Sequence, residues 1–232
     1  MNVSISHRTQ CRICGSDQLH QFLGFLNIPF TDGLVRPSNA GQEFSAPLSI
    51  HWCGHCLTVQ TLQDVDVTDY YQEYRYTVSH SPTARQFMHE LAERAIEMFD
   101  LKPGDRVLEI GSGDGYQLEC FQSRGVDVLG FEPGAELVAN SRARGVPVVE
   151  ALFADETIQM IPDEFLPAQV VLLTYTFDHL PEPAGFLETI RTVLDPDRGI
   201  LIIEVHDLPK SMRGGRSACS NTNTPSIQTC LP

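Results

Sequence analysis

Residues 106–115 read RVLEIGSGDG. Val107, Leu108 and Ile110 form the apolar run of a short buried strand, and glycines at 111, 113 and 115 follow it at once. A strand that runs into alternating glycines predicts a sharp turn whose backbone comes close to a ligand or to another chain segment. What surrounds the turn decides the fold. Upstream, Ser81-Pro82 is a helix start, with a capping hydroxyl and then a proline. Ala84, Phe87, Met88, Leu91, Ala95 and Met98 follow at helical spacing. Downstream, four further apolar runs occur: VDVLGFEP (126–133), VPVVEAL (146–152), AQVVLLTYTF (168–177) and GILIIEV (199–205). Helical stretches separate them, one near Glu136 to Ala143 and one opened by Pro183. Strands alternating with helices predict an α/β, doubly wound parallel sheet of Rossmann-like type. Ligands of such sheets bind at the carboxyl ends of the strands.

The glycine turn is not a dinucleotide fingerprint. That pattern reads G-x-G-x-x-G, and here the third glycine comes one position early, with Tyr116 in its place. Glu109 precedes the turn, where a negative charge suits a cationic amino-acid ligand better than a pyrophosphate. Glu132 ends the second strand, 21 residues after Gly111. A carboxylate there can accept hydrogen bonds from ribose hydroxyls.

The N-terminal part carries a second signal. Cys11 and Cys14 stand in CRICG, and Cys53 and Cys56 in WCGHC. Four thiolates on two tight turns match the tetrahedral structural zinc arrangement. Gly15 follows the first pair and Gly54 lies inside the second, and both are expected to ease the turns. His51 precedes the second pair and His55 lies within it, and both are expected to be solvated turn residues, since four cysteines complete the site. The seven cysteines of the chain are an odd number, and with no apolar leader at the N-terminus they fit a disulfide scaffold poorly. The stretch 65–80, with Tyr70, Tyr71, Tyr74 and Tyr76, is expected to connect the lobe to the sheet domain.

A net charge of −14 gives no basic footprint for nucleic acid or for an anionic membrane. No apolar run is long enough to span a bilayer. The expected compartment is the cytoplasm.

Together, VLEIGSGDG, GFEP and FDHLPEP (177–183) resemble the class I S-adenosylmethionine-dependent methyltransferases. The two cysteine pairs followed by YRYTVSHS (74–81) are similar to the zinc-containing C-methyltransferases that act on nucleotide-linked keto-deoxysugars. The resemblance covers roughly residues 9–207. It implies a cofactor site of Glu109, Gly111, Ser112, Gly113, Asp114, Gly115, Glu132 and Pro133, with Phe153 and Ala154 flanking the adenine. It also implies that Tyr76 and His179 reach the reacting atoms, and that S-adenosylmethionine and a structural Zn2+ are bound. That family commonly has asparagine where this chain has Gly113. The implied reaction is methyl transfer to carbon through an enolate. The alternatives are a catalytically impaired cofactor-binding homologue, or transfer to oxygen or nitrogen of a small metabolite.

The expected organisation is a zinc-binding lobe (1–64), a connector (65–80), a methyltransferase domain without its last strands (81–207) and an unstructured tail (208–232). The family continues past strand five with an HEH-type segment, further strands and another domain. SMRGGRSACSNTNTPSIQTCLP (211–232) has neither strand alternation nor a helical stripe, so the expectation is a truncated or frameshifted end.

Overall fold

The computed structural model describes residues 4–29, 36–65, 71, 77–205, 228 and 229. Tyr76 lies outside these residues. The chain divides into two compact units. The first comprises residues 1–67 with 181–184, and the second comprises 68–180 with 185–232.

The first unit is built from β-structure. β1 (Ile5–His7) pairs antiparallel with β5 (Gln63–Val65). A long hairpin of β2 (Leu19–Pro29) and β3 (Ser45–Cys53) pairs onward to β4 (Val59–Thr61). β2 is an edge strand, and it exposes Phe22, Leu23, Phe25 and Leu26. Two register irregularities, at Gln21/Leu23 and Phe25/Ile28, interrupt that edge. Bulges of this kind spoil a strand as a template for further pairing. Among the described residues this unit buries few large apolar side chains.

The second unit is the predicted α/β domain. Its parallel strands are β6 (Arg106–Ile110), β7 (Asp127–Phe131), β8 (Val148–Val149), β9 (Val170–Thr174) and β10 (Ile200–Glu204). They lie in the order β10-β9-β6-β7-β8. Counted along the chain this is 3-2-1-4-5, so the strand order reverses between β6 and β9. The helices are α1 (Pro82–Phe99), α2 (Tyr116–Gln122), α3 (Ala135–Ala143) and α4 (Pro183–Val193). Ser81 caps α1, its hydroxyl accepting from the Ala84 amide at 3.4 Å.

The period-2 pattern of the strands sorts the core into two layers. Val107, Val128, Val170 and Leu172 join Leu91, Ala92 and Ala95 of α1 and Leu118 and Phe121 of α2. Leu108, Ile110, Leu129, Phe131, Val171 and Leu173 join Ile190 and Val193 of α4. Glu109 occupies an alternation slot on the α1/α2 side, where its neighbours in the pattern are apolar.

Two features differ from expectation. VPVVEAL forms only a two-residue strand, Val148–Val149, because Pro147 has no N–H to give to a ladder and supplies only its carbonyl, to the Gly130 amide. In the tail, β11 (Gln228–Thr229) pairs antiparallel with Ile202 and Ile203. The tail expected to be unstructured is therefore paired to β10 over those two residues. No helix among the described residues is long and apolar enough to cross a membrane.

Candidate functional site: a carboxylate-lined glycine turn and a four-cysteine centre

The glycine turn sits at the reversal point, where β6 ends beside β9. Gly111, Gly113 and Gly115 have φ of 75°, 55° and 77°, a region that L side chains rarely adopt. Gly111 also needs its missing side chain. A Cβ there would lie 2.6 Å from Thr176 Oγ1, whose hydroxyl donates to the Ile110 carbonyl at 3.1 Å. Gly111→Ala is therefore expected to destabilise the domain by about 2 kcal/mol or more, from left-handed strain plus displacement of Thr176. Urea melts check this, and a loss under about 0.5 kcal/mol would show that Thr176 swings away freely.

The amides of Gly111, Ser112, Gly113 and Gly115 are satisfied within the protein. Those of Gly111 and Ser112 donate to the Phe131 carbonyl (2.8 and 3.0 Å), and that of Gly115 donates to the Ser112 carbonyl (3.0 Å). The Gly113 amide donates to Glu132 Oε2 at 3.0 Å, and the Tyr116 amide to Asp114 Oδ1 at 3.4 Å. A phosphate cradle would turn such N–H groups outward. What this turn presents instead is carboxylate.

Glu109 is 1% exposed. Its Oε1 accepts from Thr174 Oγ1 at 2.9 Å, and its Oε2 is buried with no partner. Burial pushes its pKa up to about 8. The Thr174 hydrogen bond works against that rise, and the charges of Glu204, Asp114 and Glu132 add to it. Burial also raises the Glu132 pKa, opposed by the amides of Gly134 and Gly113. Asp114 goes the other way. Although burial opposes its charge, hydrogen bonds from Ser79 and Arg144 and the Arg144 charge hold its pKa below the usual range. Gly113 has open space where a Cβ would stand.

After β9, Tyr175 takes a left-handed φ of 53°, at a cost on the order of 1 kcal/mol. It lies between Thr174 and Thr176, which bond to Glu109 and to the Ile110 carbonyl respectively. His179 closes a turn of 3₁₀ helix, Phe177–His179, at the same carboxyl-end rim, and it is exposed. Phe153 is buried, with its ring edge-on to Phe131 (5.2 Å) and Phe186 (5.4 Å). Ala154 is half-buried, and its amide donates to Thr157 Oγ1 at 2.9 Å. Pro133 follows Glu132 and is half-buried. Ser112 is buried, its hydroxyl packed where a Gly130 Cβ would stand. Sequence reasoning missed Thr174, Thr176, Ser79 and Arg144. The TYT triplet at the end of the most apolar strand is the one local sign of the first two.

In the first unit, the Sγ atoms of Cys11, Cys14, Cys53 and Cys56 all lie within 4.8 Å of one another. Cys11–Cys56 and Cys14–Cys53 are each 3.6 Å apart. A tetrahedral Zn–S distance of about 2.3 Å requires sulfurs about 3.8 Å apart, so the donor set fits zinc in both chemistry and spacing. Burial opposes the thiolate at Cys11, but the backbone amides of Cys14 and Ile13 bring its pKa down to about 6. His51 and His55 are not part of the cluster among the described residues.

The two knuckles close alike. The Gly15 amide donates to the Cys11 carbonyl (2.9 Å) and the Leu57 amide to the Cys53 carbonyl (3.0 Å). The left-handed residue is Gly15 in the first, but Leu57, φ 62°, in the second. Gly54 thus does not make the turn. It gives room, since a Cβ there would lie 3.1 Å from His20 Nε2 and 3.2 Å from Gln18 Oε1. Leu57 is 71% exposed, so Leu57→Gly is expected to relieve strain with little packing loss. Strain relief of about 1–2 kcal/mol, less the entropy cost of a glycine, leaves a gain of about 0.5–1 kcal/mol in the thermal melt of the zinc-loaded protein.

A family model described as a methyltransferase domain matches residues 71–223, and one described as a zinc binding domain matches residues 11–71. The chain is 30% identical over 210 residues to the C-methyltransferase NovU of Streptomyces niveus, covering 89% of this chain and 49% of that protein. It is 30% identical over 113 residues to the ubiquinone biosynthesis O-methyltransferase of Aeromonas salmonicida, covering 47% of this chain and 46% of that one. A solved SAM-dependent methyltransferase from Thiobacillus denitrificans aligns with a TM-score of 0.42 at 17% identity, over 60% of this chain and 53% of that one. The chain spans about half the length of the curated relatives it matches. With the family model covering most of the parallel-sheet unit and its glycine turn, the chain belongs to the methyltransferase-domain family.

Proposed function

We propose that the glycine turn binds S-adenosylmethionine and that the protein transfers its methyl group to a carbon of a nucleotide-linked keto-deoxysugar. The observation that carries the cofactor reading is Glu109, a fully buried carboxylate with one unpartnered oxygen at a turn whose glycine amides are already used. Such a site repels phosphate and suits an ammonium group. Glu109 would hold that ammonium, Glu132 would accept from ribose hydroxyls, and the open side of Gly113 would admit the ligand backbone. When bound, the cofactor supplies an electrophilic methyl on a sulfonium.

His179 would act on the acceptor. A ketone acidifies the neighbouring carbon, and an imidazole suits removal of that proton near neutral pH. The substrate carbon would then gain the methyl as the methyl–sulfur bond breaks, leaving S-adenosylhomocysteine, with the proton on His179. The support for carbon as the acceptor is the likeness to a C-methyltransferase over 89% of this chain. The likeness to O-methyltransferases reaches about half of it. Tyr76, by the same resemblance, would line the acceptor side.

The test is calorimetry with S-adenosylhomocysteine, then methyl transfer from labelled cofactor to a nucleotide-linked keto-deoxysugar. Label on carbon, with His179→Asn lowering kcat at least a hundredfold and leaving cofactor affinity within threefold, is the expected result. Label on oxygen would favour the small-metabolite reading. Binding without transfer would favour an impaired homologue, and no binding would defeat the cofactor reading.

A further inference from the structure

Arg144 is absent from every role assigned so far. It caps the end of α3, with its amide at 3.2 Å from the Asn140 carbonyl and 3.1 Å from the Ser141 carbonyl. Its Nη2 is 2.9 Å from Asp114 Oδ2 and its Nη1 is 3.0 Å from Glu119 Oε2. Its guanidinium lies 5.3 Å from the Tyr116 ring centroid. Ser79 Oγ donates to the same Asp114 Oδ2.

Four consecutive residues of the glycine turn are held by the single β7–α3 unit. Ser112 packs over Gly130, and the Gly113 amide is bonded to Glu132. Asp114 is paired with Arg144. Gly115 abuts Ser141, whose hydroxyl would lie 2.5 Å from a Cβ at that glycine. Three of these holds are packing or a single neutral donor. The Arg144–Asp114 hold is the charged one, and the Asp114 side chain is only 8% exposed. An exposed ion pair would contribute little. Here the removal of one partner strands a charge in a buried turn beside Glu109 and Glu132.

We propose that Arg144 is a positioning residue for cofactor binding. By neutralising Asp114 it keeps the 112–115 turn in its binding shape and lowers the negative field that Glu109 must share. The inference rests on the cofactor reading above. The pair also serves specificity, because it cancels one of three carboxylates at the turn and leaves Glu109 and Glu132 for the ligand.

The experiment measures S-adenosylhomocysteine affinity for wild type, Arg144→Lys, Arg144→Met, Asp114→Asn and the double variant, together with amide hydrogen exchange in the ligand-free proteins. Arg144→Met is expected to weaken binding tenfold or more and to speed exchange at Gly113, Gly115 and Tyr116. Arg144→Lys keeps the charge but loses the two-armed grip, and it should recover most of the affinity. The double variant should bind better than Arg144→Met alone, since no charge is then stranded. If Arg144→Met does not fold, Arg144→Lys and Asp114→Asn still carry the comparison. Arg144→Met within twofold of wild type, unchanged exchange at the turn, or losses that simply multiply in the double variant would each overturn the inference. Failure of wild type to bind would instead remove the cofactor reading.

Discussion

Glu109→Gln is expected to make the free protein more resistant to heat at pH 8 and, in the same variant, to weaken S-adenosylhomocysteine binding a hundredfold or more. Both effects come from burial. The folded pKa of Glu109 is raised from 4.5 to about 8, so folding favours the protonated carboxyl. The stability this contributes is fully present below about pH 4.5 and is lost as pH rises through about 8. Within that window the loss is about 1.4 kcal/mol per pH unit. Glutamine does not ionise, so the variant escapes this loss, and its advantage should grow steadily from pH 5 to pH 8. The wild-type cost is tolerable because the carboxylate is what a bound ammonium requires. A hundredfold loss of affinity corresponds to about 2.7 kcal/mol, ordinary for stranding a buried charge. Binding near pH 7 should also release a proton, which is measurable as an enthalpy that varies with the buffer. Equal melting profiles for the two proteins from pH 5 to 8 would show that the group is not buried as described.

The second large effect belongs to the cysteine centre. Cys53→Ser is expected to abolish zinc binding and to unfold the first unit, while the parallel-sheet unit keeps its helical signal. Cys53 is fully buried, and it sits at the end of β3, the strand that pairs with both β2 and β4. Structural zinc contributes roughly 10–16 kcal/mol in small domains, more than any other interaction available to this unit. Its other ties among the described residues include the ion pairs of Asp64 with Arg8 (2.8 Å) and Arg12 (3.0 Å), which are partly exposed and worth far less. The second unit has its own two-layer core and does not depend on the metal for packing. Metal analysis and hydrogen exchange across residues 11–65 would check both halves. Retained protection there without zinc would sink the claim.

What the sequence made legible was local. The glycine turn, the five strands, the capped α1 and both cysteine pairs rest on adjacent or periodic residues, and Glu109 and Glu132 stand at strand ends. The rest depends on distance along the chain or on conformation. Arg144 meets Asp114 from 30 residues away, and Ser79 from 35, and no spacing rule announces either. By sequence Gly54 is the expected turn maker, because glycine so often is one. The left-handed position fell instead to Leu57, since the turn is fixed by the equivalent residue of each knuckle and not by where a glycine stands. The third strand was shortened by a proline whose missing donor matters only at the ladder.

The contact between Gly111 and Thr176 bears on how acceptor preference can be altered. Thr176 stands three residues before His179, its hydroxyl is tied to the Ile110 carbonyl, and its side chain fills the space that Gly111 leaves empty. The segment that carries the proposed proton acceptor and the segment that would hold the methyl donor are thus one interlocked piece. Substitutions of Tyr175 or Phe177 that displace Thr176 while admitting a different acceptor should shift donor affinity as well. Libraries that vary this segment will be most productive if Gly111 and Thr176 stay fixed.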